Sequence, residues 1–167
     1  MFCVSIPQQI VDNTAMGSLE QKRRHTASES AEAKTDLEQK NLYIPDAKIL
    51  VVDDTPMNLV VVKGLLKRSQ AQLDLVTSGN ECLVKTKEKK YDLILMDHMM
   101  PKPDGVETLH LIKEDDENIN QDTPIVVLTA NAIAGMREQY LQEGFVDYLS
   151  KPVEVDKLEG VLKRLLV

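Results

Sequence analysis

The sequence predicts an α/β fold, a doubly wound five-stranded parallel sheet with helices on both faces. Three observations lead to it. Short apolar runs recur at KILVVD (48–53), LILMD (93–97) and IVVLT (125–129), without the alternation of a strand that has one wet face. Strands of parallel sheets are buried on both faces and read this way. Helix-length stretches with 3.6-residue periodicity separate the runs. Turn signals stand where strand and helix exchange, at Ser78-Gly79, Pro103-Asp104-Gly105 and Glu143-Gly144.

Taken in order, KILVVD opens the regular pattern with β-branched residues and Leu. QLDLVT (72–77) alternates, which suits a strand nearer an edge. LILMD and IVVLT follow as continuous apolar strands, and FVDYLS (145–150) makes the fifth. In the last helical stretch Val155, Leu158, Leu162 and Leu165 share one face, with Val161 beside them. Strands alternating with helices over about 120 residues are the pattern of a doubly wound sheet.

Ahead of this region the composition changes. Residues 18–41, SLEQKRRHTASESAEAKTDLEQKN, carry no sustained apolar stripe. Such a segment buries too little surface to offset its ordering entropy. Residues 18–46 are therefore expected to be a flexible polar linker, and 47–167 the folded domain. Before the linker, Phe2, Val4 and Ile6 alternate with Cys3 and Ser5, a strand signal stopped by Pro7.

Composition excludes several functions. The 167 residues carry 20 Lys plus Arg against 27 Asp plus Glu, a net charge of −7. That balance argues against a nucleic-acid footprint, which needs a basic face. Two Phe, four Tyr and no Trp make no stacking platform for single strands. Cys3 and Cys82 form neither a disulfide framework nor a zinc cluster, and fit a reducing cytoplasm. No run approaches the ~20 apolar residues of a membrane span. The start, MFCVSIPQQI, lacks the basic and long apolar regions of a signal peptide. A cytoplasmic location without membrane contact is expected.

In doubly wound sheets ligands bind outside the carboxyl ends of the strands. Strand 1 ends in Asp53-Asp54, strand 3 in Asp97, strand 4 in Thr129-Ala130, and strand 5 in Lys151-Pro152. Neighbouring strands lie about 4.8 Å apart, so three carboxylates on one rim repel and raise one another's pKa unless a cation intervenes. An all-oxygen set points to Mg²⁺, which takes few protein ligands and keeps waters. A magnesium ion with a Lys and a Thr beside it suits a phosphoryl group. Asp97, on the middle strand, is placed as the nucleophile that forms an acyl phosphate.

The motifs VVDDTPMN, LILMDHMMPKPDG, VVLTANAIAG and DYLSKP, in this order, resemble the receiver domain of bacterial two-component systems over about Lys48 to Leu166. The resemblance implies the strand order 2-1-3-4-5 of flavodoxin-like folds. It implies Asp97 as phosphoacceptor, Asp54 and the Met99 main-chain carbonyl as metal ligands, and Asp53 acting through water. Thr129 would be the switch hydroxyl, Tyr148 the switch aromatic and Lys151 the phosphoryl partner, with a cis Lys-Pro bond. MDHMMP, DDTPMN and LTANAIAG are most similar to receivers of hybrid histidine kinases. FCVSIPQQIVD resembles the last strand of a kinase ATP-binding domain, which makes 1–17 a remnant of that domain. The implied partners are a histidine-kinase transmitter domain, in the same parent chain or another, and a histidine phosphotransfer protein. Homodimerisation through the face of the fourth and fifth helices is left open.

Two other readings compete. An aspartate-nucleophile phosphatase of the haloacid dehalogenase type shares the Asp, Thr, Lys and Mg²⁺, but usually carries a second Asp where this chain has Met99. A receiver-like binding module would work without phosphorylation, and the intact acidic set argues against it. A flavodoxin-like cofactor protein would need a Ser/Thr/Gly-rich loop after strand 1, and none follows. Met99 and Asn131 border the path of hydrolytic water in the family, and an apolar Met cannot orient that water, so slow self-dephosphorylation is expected. His98 points away from Asp97 by strand parity and reads as loop or packing. His25 and His110 lack partners at ligand spacing, and Cys82 reads as packing on the second helix. Lys85, Lys87, Lys89 and Lys90 read as a solvated helix end, and EDDE (114–117) as a solvated loop.

Overall fold

Side-chain parity along the strands sorts the core into two layers. The computed structural model describes residues 42–130 and 136–167. Its strands are β1 (Lys48–Val52), β2 (Gln72–Val76), β3 (Leu93–Asp97), β4 (Ile125–Thr129) and β5 (Asp147–Ser150). The helices are α1 (Pro56–Leu66), α2 (Gly79–Glu88), α3 (Gly105–Glu114), α4 (Met136–Glu143) and α5 (Val155–Leu166), with a 3₁₀ turn at Lys67–Ser69. All strands pair in parallel, in the order β2-β1-β3-β4-β5. The fold is the expected doubly wound sheet.

Ile49, Val51, Leu93, Leu95, Val126 and Leu128 face α1 and α5, where Leu59, Val62, Leu158 and Leu162 meet them. Their alternates, Leu50, Val52, Ile94, Met96, Ile125 and Val127, pack with Cys82, Leu109, Ile112 and Tyr140 of the other three helices. Both layers exclude water, which is why β1, β3 and β4 carry apolar residues at consecutive positions. β2 and β5 are the edges and are only partly buried, in keeping with the alternation of QLDLVT.

Several expectations need amendment. Val155 does not join the buried stripe of α5 and is 45% exposed, because it occupies the first turn. β5 begins at Asp147, while Phe145 reaches the core from the turn before it. At that turn Gly144 takes φ 109°, a left-handed conformation that suits glycine. Within the stretch read as linker, Leu42 is buried in the α1/α5 layer and the Ile44 N–H donates to the Ser69 carbonyl. The strand signal of 1–17, linker residues 18–41 and Asn131 lie outside the described residues.

The lysines at the end of α2 and just beyond it are not simply solvated. Lys87 pairs with Asp115 at 2.6 Å and Lys89 with Asp74 at 2.7 Å, and Lys90 donates to the Ile119 carbonyl. Asp115 belongs to EDDE (114–117), expected to be a solvated loop, and its pairing ties that run to α2. Beneath these pairs lies a neutral network. Asn120 accepts from the Tyr91 N–H and donates to the carbonyls of Thr86 and Lys89, while Asn118 donates to Thr86.

Candidate functional site

The register of β1 on β3 explains why two carboxylates meet. Val52 faces Met96, so the next residues, Asp53 and Asp97, stand side by side at the carboxyl ends of their strands, each two positions after a residue of the α1/α5 layer. Both are buried, at 1% and 4% exposure, whereas Asp54 is exposed. Carboxylate oxygens of the three lie within 4.8 Å of one another.

Lys151 holds this charge together. On the register of β5 on β4, Ser150 faces Thr129, and the Lys151 N–H donates to the Thr129 carbonyl at 2.7 Å. Its Nζ lies 2.6 Å from Asp53 Oδ2 and 2.8 Å from Asp97 Oδ1. Lys151-Pro152 is cis, as the resemblance implied, and so is Lys102-Pro103. Burial works against the Lys151 ammonium, but its bonds to Asp53 and Asp97 outweigh it and the pKa rises above the usual lysine value. Asp97 moves upward too. Burial is the larger cause, and the Lys151 ammonium and the Met99 N–H offset it only in part.

The oxygens of Asp53 are already engaged. Oδ1 accepts from the Thr55 N–H and from Asn58 Nδ2, both at 2.9 Å, and Oδ2 takes Lys151. Asn58, in the first turn of α1, is a site residue that does not stand at a strand end; the signal for it was its place in DDTPMN, where Pro56 starts the helix. On Asp97, Lys151 and the Met99 N–H (3.2 Å) both fall on Oδ1. Met99 is 69% exposed beside the site. Three clustered carboxylates with no imidazole or thiolate among them fit a hard divalent cation such as Mg²⁺.

Backbone packing sets the Asp97 carbonyl. A Cβ at Gly105 would lie 2.2 Å from it and 3.0 Å from the His98 Cα. Only a glycine lets the start of α3 pass so close to the end of β3. Asp104 caps that helix with Glu107 in a capping box, so the Pro103-Asp104-Gly105 signal marks a helix start.

Residues 49–163 match the family model described as the response regulator receiver domain. The chain belongs to that family. The receiver is 38% identical over 116 residues to "Signal transduction histidine-protein kinase BarA" of Escherichia coli K12, covering 70% of this chain and 12% of that protein. "Histidine kinase 5" of Arabidopsis thaliana is 30% identical over 175 residues, covering 90% of this chain and 19% of the relative. The chain thus spans a small part of the curated relatives it matches. Among solved structures, the receiver domain of sensor histidine kinase PA1611 from Pseudomonas aeruginosa PAO1 superimposes with TM-score 0.64 at 35% identity, over 71% of this chain and 96% of that one. Its structure carries a magnesium ion coordinated in the active-site cleft.

The fourth strand of the receiver presents a contact that the sequence did not suggest. Thr129 follows the parity of Ile125 and Val127 and so faces α4, where its Oγ1 lies 3.0 Å from the Tyr140 hydroxyl. Tyr148, which faces Val127 on β4, packs partly buried against the same layer. His98 turns toward that layer as well, its ring edge-on to Tyr140 with centroids 5.3 Å apart. Cys82 is buried on α2, and desolvation pushes its thiol up to about 12, an inert packing group. No helix among the described residues is long and apolar enough to cross a membrane.

Proposed function

We propose that this receiver takes a phosphoryl group from a phosphohistidine onto Asp97. The observation that carries the reading is the buried Asp97 carboxylate bridged to Asp53 by the Lys151 ammonium, with a third carboxylate in the same cluster. In the transfer an Asp97 oxygen attacks phosphorus, the P–N bond breaks, and the imidazole nitrogen leaves with the electron pair and takes a proton from solvent. An ionised carboxylate needs no general base, so the protein's task is positioning and charge neutralisation.

Each residue has its part. Lys151 already spans the place where phosphoryl oxygens arrive and neutralises one of their charges. Thr55, Asn58 and Lys151 fix the Asp53 carboxylate, which leaves Asp54 and Asp97 as direct ligands for Mg²⁺, with Asp53 reached through water and the Met99 carbonyl as a further ligand. When bound, Mg²⁺ neutralises the phosphoryl oxygens as charge builds on them. Thr129 donates its hydroxyl to the acyl phosphate, and Tyr148 responds on β5. The exposed apolar Met99 orients no water, so the acyl phosphate is expected to persist.

The histidine donor is a transmitter domain, and a histidine phosphotransfer protein is a second partner. The likeness to BarA and to Histidine kinase 5 supports a hybrid histidine kinase as the parent, with 1–17 from its ATP-binding domain, 18–41 as linker and the receiver beginning at Leu42, which packs in its core, acting in the cytoplasm. Intact-mass spectrometry after incubation with acetyl phosphate and Mg²⁺ tests the central claim. One added phosphoryl group is expected on this chain and none on Asp97→Asn or without metal. Free phosphate released without an adduct would point to a phosphatase instead.

A further inference from the structure

Thr129 and Tyr140 are both buried, at 1% and 2% exposure, and their hydroxyls are 3.0 Å apart. Tyr140 is the buried side chain of α4 (MREQYLQE), with Met136 one turn before it packed partly buried on the same layer. Its ring also meets His98, the residue after Asp97, and Phe145 at the turn into β5, edge-on with centroids 6.0 Å apart. One phenol therefore touches the residue following the phosphoacceptor, the hydroxyl at the end of β4 and the turn that closes α4.

We infer that Tyr140 is a positioning residue, which holds the Thr129 hydroxyl toward α4 and sets how readily Thr129 turns to a phosphoryl group on Asp97. The inference rests on Asp97 as phosphoacceptor. When Thr129 turns to the acyl phosphate, its bond to Tyr140 breaks and leaves a buried phenol to be satisfied. A buried polar group without a partner is costly, so the contact favours the resting arrangement. The apparent affinity for a phosphoryl group is lowered by the fraction of molecules in the competent arrangement. Tyr140→Phe removes the hydroxyl, keeps the ring contacts, and leaves no phenol to strand.

The test titrates the full chain with beryllofluoride, a phosphoryl mimic, at saturating Mg²⁺, and titrates Mg²⁺ alone, following both by NMR. Tyr140→Phe is expected to bind beryllofluoride about 3–10-fold more tightly than the parent, the size of one neutral hydrogen bond, with Mg²⁺ affinity unchanged. Thr129→Val cuts the same bond from its other end but removes the group the mimic needs, so it should bind more weakly. Opposite signs from the two ends of one bond distinguish positioning from packing, which would move both variants in one direction. Unchanged affinity in Tyr140→Phe overturns the inference. Weaker affinity also overturns it, and would assign the phenol to the phosphorylated arrangement, with His98 Nδ1 as its partner; that nitrogen is buried without a hydrogen bond among the described residues. If the parent and Asp97→Asn bind the mimic equally, or neither binds it, the phosphoacceptor reading itself fails and the inference with it.

Discussion

The two ends of the sheet bury polar groups in opposite ways. At the amino ends of β3 and β4, Asn118, Asn120, Thr123 and Thr86 are buried and neutral. They satisfy one another and the backbone: Asn120 Oδ1 accepts from the Tyr91 N–H and from Thr123, and its amide nitrogen donates to two carbonyls. At the carboxyl ends, Asp53 and Asp97 are equally buried but carry like charges, reconciled by a single ammonium. A neutral network with every partner in place adds rigidity. A buried ionic cluster returns little net stability, because desolvation consumes most of its Coulombic gain. One end of the sheet stabilises the fold; the other, on the proposed function, is held ready for a phosphoryl group.

The sharpest way to break that contrast is Lys151→Met, which leaves two carboxylates facing each other in a buried setting. A loss of about 3 kcal/mol is expected from denaturant melts without metal, with partial recovery in Mg²⁺ and no phosphoryl adduct by mass. Asn120→Ala should cost about 2 kcal/mol through its abandoned backbone partners, yet leave the adduct yield of the folded protein unchanged. A loss of phosphoryl uptake there would show that the two ends are coupled.

Asp97→Asn should stabilise the metal-free protein, in a pH-dependent way. The folded pKa of Asp97 lies above its ordinary 3.8, chiefly through burial. Its contribution is therefore most favourable below the unfolded value and is lost as pH rises through the folded one. Thermal melts of parent and variant should agree in acid and separate as pH rises, the variant being the more stable. Asp74 behaves in the contrary sense. The bond from Lys89 holds its pKa below 3.8, with burial opposing and Tyr91 assisting. Its small contribution is present above the unfolded value and disappears as pH falls through the folded one. Because that pair is about one-third exposed, Lys89→Met should cost about 0.5 kcal/mol at neutral pH, and less in acid.

Much of this was legible in the residues. The bounds of β3 and β4 follow from runs that lack alternation, and the meeting of Asp53 with Asp97 follows once β1 and β3 are neighbours. The same parity turns His98 away from Asp97. What escaped depends on where helices dock. Nothing local says that Tyr140 lies against β4, since Met136 and Tyr140 alone, one turn apart, orient α4 and Leu141 beside them is exposed. Asn58 is no strand-end residue; the first turn of the following helix brings it back to the same carboxylate. The ties of Lys87 and Lys89 were hidden because their partners sit on β2 and on a loop remote in sequence.

The contact between Lys151 and Asp53 joins residues 98 positions apart. Parallel strands are never joined by a hairpin, so every pairing in this sheet closes a long loop, and such topologies fold slowly. During synthesis β1 emerges first, but its site stays open until β5 has been made and docked. A chain stopped before Lys151 would hold its carboxylates without the ammonium that reconciles them. On the proposed function, competence for phosphoryl transfer would arrive only with the last strand, and an unfinished receiver would draw nothing from its donor.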